Sequence, residues 1–195
     1  MSDLDRVVSA LRGGQVVLLP TDTVYGLAVM ATDSDALAAV FALKQRPIDT
    51  SVAVLVADTD QAARYVDLGA VGNALAEHFW PGALTIVANR IDDGAVAAGT
   101  DKTLGVRCPD DDFVRAVAAA VGPVAASSAN LHGQRTPISC VDAAEIFDTV
   151  EIVIDGGVRQ GSASTVVSVI DGTVEMLREG PVSMADVVAV SAAGS

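Results

Sequence analysis

Short runs rich in β-branched residues alternate along the chain with alanine-rich amphipathic stretches, and this alternation constrains the fold more than any other feature. A chain that switches between a two-residue and a 3.6-residue hydrophobic period builds strands and helices in turn, hence an α/β architecture. The pattern predicts strands over Gln15–Leu19, Ser51–Val56, Leu84–Ala88, Thr103–Arg107, Val124–Ser127, Glu151–Ile154, Ser164–Ile170 and Thr173–Arg178. It predicts helices over Asp3–Leu11, Ser34–Lys44, Val71–Phe79, Asp112–Val121 and Val141–Phe147, with a last one from Met184, where Ser183 and Asp186 have capping-box spacing. Pro47 disfavours helix at Arg46 and so ends the second helix near Lys44. Asp171-Gly172 between the last two strands is a hairpin signal, which makes the sheet mixed rather than purely parallel.

At 195 residues the whole chain, residues 1–195, reads as one domain. Hydrophobic residues make up 51% and aromatics 4%, so the core must be built mainly from Ala, Val, Ile and Leu. No apolar run approaches the ~20 residues of a membrane span. The start, Met1-Ser2-Asp3-Leu4-Asp5-Arg6, lacks the basic and apolar segments of a signal peptide. Cys108 and Cys140 form no zinc or redox pattern. These features predict a cytoplasmic protein. A net charge of −13 argues against a nonspecific grip on nucleic acid, which needs clustered Lys and Arg.

Against that acidic background, a few polar clusters stand out. Lys44 and Arg46 fall at a helix C-terminus, where the dipole favours cations, yet the same pair suits phosphate oxygens: Lys as a point charge, Arg as a fork. Ser127, Ser128 and Asn130 follow an apolar run; they read either as a turn or as a ligand loop at a strand end, where open α/β sheets place their sites. Thr23 lies in a polar interruption after the first strand. Arg107 ends a strand and suits either solvent or a substrate carboxylate. The glycine-rich segments Asp155-Gly156-Gly157 and Gly161–Thr165 carry no Gly-Lys-Ser/Thr phosphate loop. Two distant histidines, His78 and His132, give no dyad or metal site.

Taken in order, Pro20-Thr21-Asp22-Thr23-Val24-Tyr25-Gly26-Leu27, Lys44-Gln45-Arg46-Pro47, Trp80-Pro81-Gly82-Ala83-Leu84-Thr85, Val106-Arg107-Cys108-Pro109 and Ser128-Ala129-Asn130 resemble the YrdC-like family, the threonylcarbamoyl-AMP synthases of tRNA modification. The resemblance runs from about Val16 to Val182. It implies a twisted mixed sheet flanked by helices around a deep central cleft, in the short single-domain form. It implies Lys44, Arg46, Thr103, Ser128, Asn130, Thr136 and Arg178 at ATP, with Lys44 and Arg46 stabilising charge in the reaction. Thr23 and Arg107 would hold threonine, Arg107 through the carboxylate. The implied substrates are L-threonine, bicarbonate and ATP with Mg²⁺ on its phosphates. The adenylate would pass to a separate tRNA threonylcarbamoyl transferase without strong tRNA binding by this chain. The chain departs from the family pattern at Leu55, where a His is usual, and at Ser127, His132-Gly133 and Ser168. The departure at Leu55 leaves room for a paralogue making another carbamoyl adenylate, and a non-catalytic RNA- or nucleotide-binding module is the other alternative reading.

Overall fold

The computed structural model describes residues 1–45, 52–92, 95–159 and 161–193. Arg46, Thr50 and Ser51 fall outside the described residues. In chain order the elements are α1 (Asp3–Arg12), β1 (Val17–Leu19), β2 (Gly26–Met30), α2 (Ser34–Leu43), β3 (Ala53–Leu55), α3 (Thr59–Ala62), β4 (Val66–Asp67), α4 (Gly69–Phe79), β5 (Leu84–Arg90), β6 (Thr103–Arg107), α5 (Asp112–Val121), β7 (Val124–Ser128), α6 (Cys140–Ile146), β8 (Ile152–Val153), β9 (Thr165–Ser168), β10 (Glu175–Arg178) and α7 (Met184–Ala193). The strands form one mixed sheet in the order β10-β9-β5-β6-β3-β7-β2-β1-β8, with β4 paired to β5. The pairs β1–β8, β3–β6 and β5–β9 are parallel, and the rest are antiparallel.

The helix starts follow local chemistry. Ser2 and Asp5 close a capping box on α1, while Asp33 caps α2 and Asp111 caps α5, each satisfying amides that the first helical turn leaves unpaired. Ser183 Oγ donates to Asp186 at 2.6 Å and accepts from its amide, as the spacing predicts. α2 stops where expected: Lys44 is its cap and Gln45 turns into the left-handed region at φ 52°. Asp171 and Gly172 both take positive φ, 54° and 72°, in the connection between antiparallel β9 and β10.

Three elements go beyond the sequence reading. β2 is a buried strand just after the polar interruption that holds Thr23, where the sequence pattern predicts none. β4 and α3 are only two and four residues long, too short for any period to register. The predicted strand Ser51–Val56 is described as Ala53–Leu55.

Strand side chains sort the core onto two faces. Leu18, Leu27, Val29, Val54 and Ala125 belong to one apolar cluster with α2, α4 and α7 residues. Val17, Leu19, Ala28, Leu55 and Val124 belong to the other, under α1 and α5. On this second face α1 and α5 cover the β1–β2–β7–β3 end. Further across the sheet the same face carries Thr85 and Arg107 instead of aliphatic side chains. The cleft opens there. No helix among the described residues is long and apolar enough to cross a membrane.

Candidate active site

The cleft opens to solvent, about 640 Å³ counting the space at its mouth, with Thr21, Thr23, Leu55, Arg107, Ser127, Ser128, Ser164 and Arg178 among its walls. Three polar knots build it, each from segments remote in sequence.

The first knot centres on Arg107 at the end of β6. Its guanidinium is almost fully buried and pairs with Asp22. Nε donates to the Gly82 carbonyl at 2.9 Å, and Nη1 donates to Thr23 Oγ1 at 3.0 Å. Burial pushes the guanidinium down from its ordinary value, and the Asp22 carboxylate opposes this. Arginine remains charged under such conditions. A guanidinium carries five N–H donors. Three are engaged here, so two remain on a side chain that lines the cleft, the number a carboxylate takes from an arginine fork. Gly161 lies so close to Thr23 that an added Cβ would stand 2.5 Å from the Thr23 carbonyl, so the 161–164 segment can pass over Thr23 only with glycine at that point.

The second knot joins the end of α2 to the turn after β7. Lys44 is buried, and its ammonium donates to the Ser128 carbonyl, to the Asn130 carbonyl at 2.7 Å and to Asn130 Oδ1 at 3.5 Å. Ser128 Oγ donates to the same Oδ1 at 2.5 Å, and Thr136 Oγ1 reaches it at 3.4 Å. The Asn130 amide donates to the Leu131 and Gln134 carbonyls. The structure brings Lys44, Ser128 and Asn130 together, and the geometry gives Lys44 a structural task. It organises the Ser128–Asn130 turn, and a phosphate reaching it would replace one of these carbonyl acceptors.

The third knot holds Arg178, from the edge strand β10. Its Nε and Nη2 both donate to the Ser164 carbonyl, at 3.0 and 2.8 Å, and Nη2 also reaches Ser164 Oγ at 3.2 Å. Ser164 Oγ is in turn 2.8 Å from buried Thr85 Oγ1. Gly180 permits this packing, because a Cβ there would lie 2.5 Å from the Ala163 carbonyl.

Thr103 is not gathered into these knots. It opens β6 four residues before Arg107, on the same face but roughly 13 Å along the strand, and its hydroxyl pairs with Thr100 at 2.8 Å. Arg46 lies outside the described residues. Asp22, Thr85 and Ser164 were not identified as site residues from the sequence. Asp22 adjoins Thr23 in an evident polar motif, but its pairing with Arg107 spans 85 positions, and no local pattern announces it.

A mixed α/β sheet with a polar cleft on its partly uncovered face is the class of protein this geometry defines. The sequence model of the Sua5/YciO/YrdC proteins, described as telomere recombination, matches residues 9–180, and the chain belongs to that family. It is 36% identical over 193 residues to a Mycobacterium tuberculosis protein named putative threonylcarbamoyl-AMP synthase, covering 95% of this chain and 89% of that one. It is 33% identical over 183 residues to the threonylcarbamoyl-AMP synthase of Pyrococcus abyssi, covering 91% of this chain and 54% of the relative. The crystal structure of P. abyssi Sua5 complexed with L-threonine superposes with a TM-score of 0.88 at 29% identity, covering 97% of this chain and 58% of that one. The chain therefore spans little more than half of the archaeal relative.

Proposed function

We propose that this chain, acting as one domain, makes L-threonylcarbamoyladenylate from L-threonine, bicarbonate and ATP, for threonylcarbamoylation of the adenosine beside the anticodon in tRNA. The single observation that carries the reading is Arg107. It is a buried guanidinium with two N–H groups left over, set beside Thr23 in a cleft whose opposite walls hold Ser128 and Arg178. The names of the relatives and the threonine in the P. abyssi complex support the same assignment.

The chemistry needs no protein nucleophile. The threonine amine and bicarbonate condense to a carbamate with loss of water. A carbamate oxygen then attacks the α-phosphorus of ATP, the bond to the β-phosphate breaks, and pyrophosphate leaves. The protein's part is to orient the reactants and to stabilise charge that develops on phosphate. Arg107 takes the threonine carboxylate, and Thr23 contacts the amino acid beside it. Ser128, Asn130 and Thr136 shape the nucleotide side of the cleft, and Lys44, Arg46 and Arg178 supply positive charge. Mg²⁺ enters on the ATP phosphates as part of the substrate.

With a net charge of −13, tRNA is expected neither to bind tightly nor to be needed for adenylate formation, and the product passes to a separate transferase in the cytoplasm. The test is pyrophosphate release with threonine, bicarbonate, ATP or tRNA omitted in turn. Omitting any of the first three should abolish release, and omitting tRNA should change nothing. Release without threonine, or release that starts only with tRNA, would overturn the reading.

A further inference from the structure

Arg178 reaches the cleft from a weakly anchored position. It is an exposed residue on β10, the edge strand, and the register against β9 shifts between Met176 and Arg178. An irregularity of this kind re-aims the side chain beside it. The guanidinium turns inward, and Nε and Nη2 both rest on the Ser164 carbonyl. Ser164 is buried and stands at the entry of β9, where the Thr165 amide donates to the Ala83 carbonyl at 2.9 Å. Ser164 Oγ also accepts from Arg178 Nη2 at 3.2 Å, which uses one lone pair, because a guanidinium can only donate. The hydroxyl keeps its proton and a second lone pair, and Thr85 Oγ1, 2.8 Å away, satisfies one or the other. Thr85 belongs to the interior strand β5 and is itself buried. An exposed arginine at the edge of the sheet is thus tied, through one serine, to a threonine in its interior.

We propose that Thr85 is a positioning residue that acts through Ser164 to pre-orient Arg178 for a phosphate of ATP. This deepens the proposed function and rests on it. A long exposed side chain loses rotamer freedom when a ligand immobilises it, and a side chain ordered beforehand spares that cost. The Ser164 carbonyl supplies the seat for Arg178, and the Thr85 hydroxyl holds the seat in place. The cleft wall at this point is made by Ser164 and Arg178, with Thr85 behind them, so the effect of Thr85 on a nucleotide is transmitted and not direct. Thr85 and Arg107 share a face of the sheet, but the hydrogen bonds of Arg107 go to Gly82, Thr23 and Asp22. The influence of Thr85 therefore falls on the nucleotide side of the cleft and leaves the amino-acid side alone.

The test is a double-mutant cycle read by titration calorimetry, with Mg·ATP in the absence of threonine and with L-threonine in the absence of ATP. The proteins are the wild type, Thr85→Val, Thr85→Ser, Arg178→Ala and Thr85→Val combined with Arg178→Ala. Thr85→Val should weaken ATP roughly tenfold, the scale on which a buried polar group feels the loss of its partner. Thr85→Ser should restore ATP binding, and threonine affinity should hold in both. In the Arg178→Ala background Thr85→Val should cost less than about twofold more, because a residue that works only through Arg178 has nothing left to orient. Three results overturn the proposal: an ATP loss below about twofold in Thr85→Val, a threonine loss as large as the ATP loss, or single losses that simply add in the double variant. Should Thr85→Val lose its cooperative melting transition, Ser164→Ala decides. It deletes the hydroxyl link and keeps the carbonyl under Arg178, so it must weaken ATP alone, and only while Arg178 is present; any other pattern overturns the proposal. A wild type that binds no ATP sinks the proposed activity and this inference together, whereas ATP binding that is insensitive to Thr85→Val sinks this inference alone.

Discussion

Two arginines whose side chains are 10% (Arg90) and 6% (Arg107) exposed end neighbouring stretches of the same sheet, each paired with an aspartate, and they differ in one countable respect. Arg90, at the end of β5, uses all five of its N–H groups: Nε and Nη2 on the two oxygens of Asp92, and the others on the Val96, Ala98 and Thr100 carbonyls. Arg107, at the end of β6, uses three. The first is a closed knot that ties the 92–100 loop to the sheet. The second is an open one facing a cleft. Burial and an ion pair are therefore poor markers of a functional arginine, because both residues have them. Donor saturation separates the two: a residue whose hydrogen bonds are all spoken for holds structure, and one with donors left over is poised to take a ligand.

The largest effect expected from this contrast is on stability. Arg90→Ala strands the nearly fully buried Asp92 and three carbonyls, and removing one partner of a buried pair costs about 3–5 kcal/mol. Urea unfolding should show that loss, and the surviving folded protein should bind threonine within a few-fold of wild type. A normal unfolding midpoint would mean that the knot is dispensable.

Arg107→Lys should act the other way. Lysine keeps a cation against Asp22 and spares the fold, but it cannot offer the two-pronged donor set. Threonine affinity should fall by about a hundredfold, ~2.7 kcal/mol, with ATP affinity nearly unchanged. If Arg107→Lys instead unfolds the protein and leaves threonine binding intact, the contrast between the two arginines is broken.

The smallest effect is pH-dependent. Burial pushes the Asp92 carboxyl up, but hydrogen bonds from Arg90 and the Val96 amide together with the Arg90 charge outweigh it and hold the group below its ordinary value. A carboxyl depressed on folding contributes stability that is fully present above its unfolded value, near pH 4, and is lost as pH falls through the folded value. The stability gap between wild type and Asp92→Asn should therefore be flat from neutral pH to about pH 4 and shrink below it. A gap that widened on acidification would assign the charge coupling elsewhere.

The alternation of periods was enough to read the α/β class, the mixed sheet and most helices, because capping residues, Pro47 and Asp171-Gly172 act over a few bonds and announce themselves locally. The same holds for the residue set of the second knot, where Lys44, Ser128 and Asn130 were visible as chemically able side chains in recognisable motifs. What stayed hidden is connectivity. β2 escaped because its hydrophobic run is short and buried on both faces, leaving no alternation to detect. Asp22 escaped as the partner of Arg107, and Ser164 as the seat of Arg178, because a pairing across many positions leaves no trace in either segment.

The sequence by itself therefore determined which side chains this protein has available and the local elements that carry them, since propensity, capping and turn chemistry are properties of neighbours. Only the tertiary structure decided what each of those side chains is free to do. That depends on how many donors and acceptors the fold has already used, and those partners are delivered by strand register: β6 sets Arg107 opposite β5, and the turn after β1 brings Thr23 and Asp22 up to it. Arg90 and Arg107 are the same residue type at the ends of adjoining strands, and the loops that reach them leave one with every donor used and the other with two to spare.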